Sequence, residues 1–172
     1  MKTPLVLFLI SLCSTAIGGE LEALYLKQVG NKEHSVTNNP ATSGQHGISE
    51  IGIEHTPCYG TCPVYTLIIR SDGTVRYNGE KFVERVGKLS GKIEEKWRFD
   101  QLAQFIMDSN FMGLADCYTT PITDGPTVYT MVVLNGKRKV VSNYHNTGPS
   151  KLWAIEHLID DLMRQTKWDK ER

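Results

Sequence analysis

The sequence predicts an α+β domain: an antiparallel sheet of two hairpin-helix (ββα) units with both helices packed on one face. Three observations lead there. Two runs, Val64-Tyr65-Thr66-Leu67-Ile68-Ile69 and Val128-Tyr129-Thr130-Met131-Val132-Val133, are closely similar and rich in β-branched and aromatic residues. Each leads through a turn signal into a second strand-like run, which makes a hairpin. Each hairpin is followed by apolar residues at helical spacing. The 172 residues suit one such domain and not comfortably two.

The chain begins with an address. Lys2 precedes an eight-residue apolar run over residues 5–12, and small residues follow, with Ala16 and Gly18 at the spacing of a cleavage site. The run is too short to cross about 30 Å of hydrocarbon. Residues 1–18 are therefore expected to be a secretory signal peptide, removed after Gly18. Cys13 follows Leu12, where a lipoprotein signal would have a small residue, so it is assigned to the discarded peptide. The destination is the periplasm or the medium, with no membrane span in the body of the chain.

Residues 19–47 form an N-terminal segment and a linker. Leu21, Leu24, Tyr25, Leu26 and Val29 make a short amphipathic stretch. Residues 30–47 carry one aliphatic side chain, Val36, among turn formers. They cannot bury enough apolar area to offset their ordering entropy, so a flexible linker is expected. The domain follows over residues 48–168.

Within it, Ile51, Ile53 and His55 alternate with Gly52 and Glu54 as in a half-buried strand. Residues 64–69 and 74–77 flank Ser71-Asp72-Gly73 as the first hairpin, and Phe82, Val83 and Val86 suggest a third strand ending near Gly87. Residues 94–109 switch to helical spacing, with Leu102, Ala103, Phe105, Ile106 and Ser109 on one face and Asn110 as a left-handed stop. Residues 116–126 are a loop. Residues 128–134 and 140–144 flank the turn Asn135-Gly136. Pro149, at the first helical position, opens the last helix, and Leu152, Ile155, Leu158, Ile159 and Leu162 form its buried stripe.

Composition narrows the function classes. The 19 basic and 19 acidic residues cancel, which argues against a nucleic-acid binder driven by bulk positive charge. The mean hydropathy of −0.28 describes a soluble body. There is no phosphate-cradling glycine loop, no Gly-x-Ser-x-Gly segment and no His-Glu-x-x-His, so no cofactor is implied.

The cysteines are the residues most open to chemistry. Removing the leader leaves Cys58, Cys62 and Cys117. In an oxidising compartment two should bridge and one be left over. Pairing Cys58 with Cys62 is worth roughly 2 kcal/mol by loop entropy, and pairing either with Cys117 roughly 4 kcal/mol. Energy thus favours the long loop, while Gly60 permits the tight reversal of the short one. As alternatives, Cys58, Cys62 and His55 supply ligand types for zinc, with His145 or Cys117 as a fourth ligand. A cysteine thiolate with His55 or His145 as base would be a nucleophile, and the two cysteines together a redox pair.

Asp116 and Asp124 are candidate paired carboxylates, equally explained as turn formers. His157 falls off the apolar stripe and reads as solvated. Trp153 also falls off it and reads as a core-edge residue or a contact. Lys137-Arg138-Lys139 reads as a solubilising charge run at a hairpin tip.

The segment Cys58-Tyr59-Gly60-Thr61-Cys62-Pro63-Val64-Tyr65, followed by Asp72-Gly73-Thr74-Val75, resembles a bacterial family of secreted or lipoprotein domains of unknown function. That family carries a Cys-aromatic-Gly-x-Cys-Pro-x-Tyr segment before a strand and an Asp-Gly turn. Asp124 with Pro126, and a helix opened by Pro149, are similar to its later features. The likeness covers residues 51–168. It implies a Cys58–Cys62 disulfide, which leaves Cys117 as a buried, reduced core residue, and it implies no activity.

The resulting expectation is a non-catalytic binding module whose partner is an envelope or extracellular protein or a peptide. Contact is expected on a helix-free sheet face and on the loops 57–63 and 116–126, through Tyr59, Gly60, Pro63, Asp116 and Asp124. The rival is a thiol- or metal-dependent enzyme using Cys58, Cys62 and a histidine.

Overall fold

A computed structural model of the protein describes residues 19–31 and 46–169. The expected signal peptide and most of the expected linker lie outside the described residues. The elements run α1 (Glu20–Asn31), β1 (Ile48–His55), β2 (Val64–Arg70), β3 (Thr74–Lys81), β4 (Gly87–Lys92), α2 (Lys96–Asp108), a 3-10 turn (Phe111–Gly113), β5 (Cys117–Tyr118), β6 (Thr127–Leu134), β7 (Lys137–Tyr144), α3 (Ser150–Arg164) and β8 (Lys167–Trp168). The eight strands form one sheet in the order β5-β7-β6-β1-β2-β3-β4-β8. Every neighbouring pair is antiparallel except β5 with β7. The class is α+β.

β1 belongs to neither hairpin. It lies between them, pairing with β2 on one side and β6 on the other. Its alternation sorts side chains to both faces. Ile51 and Ile53 join Leu67, Ile69, Val132 and Val141 against Phe99, Leu102 and Ile106 of α2 and Leu152, Ile155 and Ile159 of α3. On the other face Ile68, Tyr129, Met131, Val133 and Val140 pack against Leu21 and Tyr25 of α1.

The helix-free face expected from the sequence is therefore corrected. The amphipathic stretch that opens at Glu20 becomes α1 and covers part of that face. Apolar strand residues on both faces require it, since water would otherwise meet a broad apolar surface.

Local boundaries shift for identifiable reasons. Residues 82–86 form a loop rather than a strand, with Phe82 in the left-handed region at φ 54°. The third strand of the sheet edge, β4, starts where that loop ends. Asn110 does take the left-handed conformation, at φ 51°. Pro149 stands one residue earlier than expected: it is the extended cap before α3, at φ −65° and ψ 153°. Leu158 is exposed, and Glu156 takes its place among the buried residues of α3. Phe105 likewise sits at the exposed margin of α2. Lys139, expected in a solvated charge run, is only 5% exposed because Asp116 meets its Nζ at 2.7 Å.

Candidate functional site

The disulfide loop and the long loop before β6 meet at one end of the sheet. Cys58 and Cys62 are disulfide-bonded, with their Cα atoms 5.7 Å apart. Inside the ring, Gly60 N–H donates to the Cys58 carbonyl at 2.8 Å. The neighbouring Tyr59 N–H donates to the Asp124 carbonyl at 3.1 Å, which ties the two loops together. Thr56 and Thr127 continue the seam: Thr56 N–H donates to Thr127 O at 3.0 Å, and Thr127 N–H donates to Thr56 Oγ1 at 2.9 Å. The Tyr59 side chain is left 91% exposed.

Asp124 and Asp116 do not act as a carboxylate pair. Asp124 takes part through its backbone, in the left-handed region at φ 68°. Asp116 is the ion-pair partner of Lys139. The Asp124 turn is braced by Tyr144, whose hydroxyl donates to Ile122 O at 2.8 Å and accepts from Gly125 N–H at 2.9 Å.

His55, the proposed ligand or base, turns away from the cysteines. Its ring stacks on Tyr65 at 4.7 Å, and Nε2 lies 3.6 Å from Asp160 Oδ1 of α3. Among the described residues no three His, Cys, Asp or Glu side chains gather as a metal site. With Cys58 and Cys62 joined, neither sulfur is a thiolate, the species that a nucleophile or a metal ligand requires. Cys117 also departs from expectation. It is half-buried on the edge strand β5, packs beside the α1 core and is disulfide-bonded, not a reduced thiol.

Beside the disulfide loop opens a groove of about 620 Å³, within the range of ligand clefts. Its floor is aromatic. Tyr65 of β2 and Tyr77 of β3 are diagonal neighbours across the strand pair, with rings 5.8 Å apart, and Trp168 of β8 reaches over to Tyr77 at 5.4 Å. One end is bounded by Pro63, which directly follows Cys62. α3 supplies Asp160, Met163 and Arg164 along one wall. The loop 82–86 supplies the opposite wall.

Two hydroxyls fix that floor. Tyr65 OH donates to Asp160 Oδ1 at 2.5 Å, and Tyr77 OH donates to the Arg85 carbonyl at 3.0 Å. Burial, and next the Asp160 carboxylate, hold the Tyr65 hydroxyl far above the ordinary tyrosine range; burial also raises Tyr77. Both remain protonated donors at any physiological pH. The fold-back of the loop onto β3 depends on Gly79, where a Cβ would lie 2.0 Å from Arg85 O. It leaves Phe82 60% exposed at the rim in a conformation unfavourable to a bulky side chain. Such strain concentrates where structure serves binding.

Behind Asp160, one helical turn back, Glu156 is buried. Its carboxylate accepts from Asn143 Nδ2 at 3.0 and 3.1 Å and from Thr130 Oγ1 at 3.2 Å. Burial pushes its pKa up to about 7, against the lowering effect of those hydrogen bonds.

Of the residues singled out in the sequence, the structure brings Tyr59, Gly60, Pro63, Cys58, Cys62 and the Asp124 backbone into one corner and sets Asp116 apart. The sequence reading missed the groove. Strand periodicity alone could have put Tyr65 and Tyr77 on one face; their meeting with Asp160 and Trp168 spans more than 90 residues.

A family model described as a domain of unknown function (DUF6438) matches residues 49–163. No curated protein matches the chain.

Proposed function

The chain belongs to the DUF6438 family of domains of unknown function, and on that premise we propose that it is a secreted or periplasmic, non-catalytic binding module whose groove takes an extended peptide segment of an envelope or extracellular protein. One observation carries the reading: a groove floored by Tyr65, Tyr77 and Trp168, the two tyrosines nearly buried, runs between two charged walls, with the strained, exposed Phe82 at its rim. Exposed aromatic side chains beside arginines are the surface chemistry most enriched at protein contacts. The walls carry both signs, Glu84 and Arg85 on one side and Asp160 and Arg164 on the other. They suit a peptide of mixed charge with an apolar side chain for the floor. The disulfide loop, with Tyr59 projecting, extends the surface past Pro63.

The secreted destination is supported by the leader-like first 18 residues and is compatible with the disulfide. No helix among the described residues is long and apolar enough to cross a membrane.

Selection of a displayed peptide library on the purified protein tests the function. Peptides should enrich, and Phe82→Ser or Arg85→Glu should weaken their binding at least tenfold. Met107→Ser, on α2 outside the groove, should leave it unchanged. Enrichment no greater than on an unrelated protein, or peptides indifferent to both groove substitutions, would refute the reading.

A further inference from the structure

The N-terminal end of α1 sits on two buried carboxylates that have no cationic partner. Glu54 of β1 is 3% exposed and Glu22 of α1 is 1% exposed. Glu54 Oε2 accepts from Leu21 N–H at 2.8 Å and from Thr66 Oγ1 at 3.3 Å, and the Glu22 N–H also donates to this carboxylate. Glu22 Oε1 accepts from Tyr129 OH at 3.3 Å, and the Gly19 N–H donates to the same carboxylate. Glu22 Oε2 has no hydrogen-bond partner among the described residues. No lysine or arginine among them pairs with either acid; Arg76, on the neighbouring surface, is taken by Glu20 at 3.3 Å.

Gly19 is pressed against this pair. A Cβ on it would lie 2.1 to 2.3 Å from the Glu54 carboxyl atoms. Its nitrogen faces Glu22, and its carbonyl accepts the first helical hydrogen bond of α1, from Ala23 N–H at 3.1 Å. An amide nitrogen here brings one donor and no charge to two buried acids. Burial raises the pKa of both, and the neighbouring Glu22 carboxylate raises that of Glu54 further.

We propose that this is a cradle for the chain's own processed N-terminus: removal of the first 18 residues converts the Gly19 amide into an α-ammonium that pairs with Glu22 and Glu54. The inference rests on the leader reading of residues 1–18. The covalent step is hydrolysis by a signal peptidase. Water breaks the peptide bond between Gly18 and Gly19, its oxygen becomes part of the Gly18 carboxylate, and the freed nitrogen takes up a proton. The product brings three donors and a positive charge to the place where an unpartnered carboxylate oxygen waits. Capture of an N-terminal amine by preset acceptors is an established mode of recognition. One extra residue would displace the charge by about 3.8 Å, and any side chain at position 19 would strike Glu54. The cradle therefore reads the cleavage position, and cleavage locks α1 onto the sheet.

The test uses the full chain, expressed with its own first 18 residues in an exporting bacterium and recovered natively. Intact mass should give Gly19 as the first residue. Limiting acetic anhydride at neutral pH, with labelling resolved by peptide mass, should acetylate the Gly19 amine at least tenfold more slowly in native than in denatured protein. Glu54→Gln and Glu22→Gln should each restore much of the lost rate; should either fail to fold, the native-to-denatured ratio of the unsubstituted protein decides. A first residue other than Gly19 overturns both the leader reading and the cradle. A chain that starts at Gly19 but labels equally fast in both states overturns the cradle and leaves the leader reading standing.

Discussion

Glu156 shows how a single side chain can give the molecule a pH dependence that its neutral net charge conceals. Its folded pKa of about 7 lies above the roughly 4.3 of a free glutamate. Between those values the folded state holds a proton that the unfolded state has released. Stability contributed by this group is thus full below about pH 4.3 and falls as pH rises to about 7. The loss across that window is at most roughly 4 kcal/mol. In the uncleaved chain Glu22 and Glu54 act with the same sign, since burial raises both. Glu156→Gln should flatten the decline in urea midpoint between pH 4.5 and 7.5 relative to the unsubstituted protein, because the amide keeps an acceptor for Asn143 or Thr130 without the charge. An equal slope in both proteins would show that Glu156 ionises freely. The sequence did not reveal this residue: at position 156 a glutamate reads as surface, and the position of Leu158 in the apolar rhythm reads as core. The partners that accept Glu156 inside are Thr130 and Asn143, on strands 13 and more residues away.

At the scale of elements, α1 is the piece whose importance exceeds its size. Leu21 is fully buried and Tyr25 nearly so, with the Tyr25 ring 5.5 Å from that of Tyr129. Farther along, Gln28 grips β7, accepting from Val140 N–H at 2.8 Å and donating to Val140 O at 3.0 Å. α1 lies wholly outside the matched region of residues 49–163. A chain trimmed to that region should nonetheless expose Ile68, Tyr129, Met131 and Val133. Leu21→Ala should cost about 2–5 kcal/mol, as large-to-small changes at closed sites do, read as a lowered urea midpoint. A change below 1 kcal/mol would mean that α1 rests only loosely on the sheet. Amphipathic spacing at Leu21, Leu24 and Tyr25 was visible in the sequence, but its destination was not. Periodicity identifies an apolar face and says nothing about which of two sheet faces receives it. The hairpins were legible for the opposite reason: Asp72-Gly73 and Asn135-Gly136 specify reversals by local chemistry, with Gly73, Asn135 and Gly136 all at positive φ.

For the whole molecule, the α+β class and the pairing of α2 and α3 on one core could be read from runs of residues close in sequence. The groove could not, because its floor joins β2, β3 and β8 and its wall comes from α3. Cys58 and Cys62 stood out as a motif, yet the surface they border is built by Tyr77, Arg85 and Trp168, none of which carries a local signal. The strand order has a further consequence. Both ends of the sheet finish in strands of two residues, β5 and β8, drawn from segments outside the hairpins they flank. A long bare rim invites the rim of another molecule to add to it, and ribbons or fibrils grow that way. Here β8 caps Gly91 and Lys92 of β4 and β5 caps Ser142 and Asn143 of β7, while Asp169 N–H closes on Ser90 O and Gln28 closes on Val140, so each rim keeps only short open stretches and concentration alone should not drive the protein to polymerise. Light scattering of the purified protein should report one constant particle mass from micromolar to millimolar concentration. Mass rising steadily with concentration would show that these abbreviated rims do not keep neighbouring molecules apart.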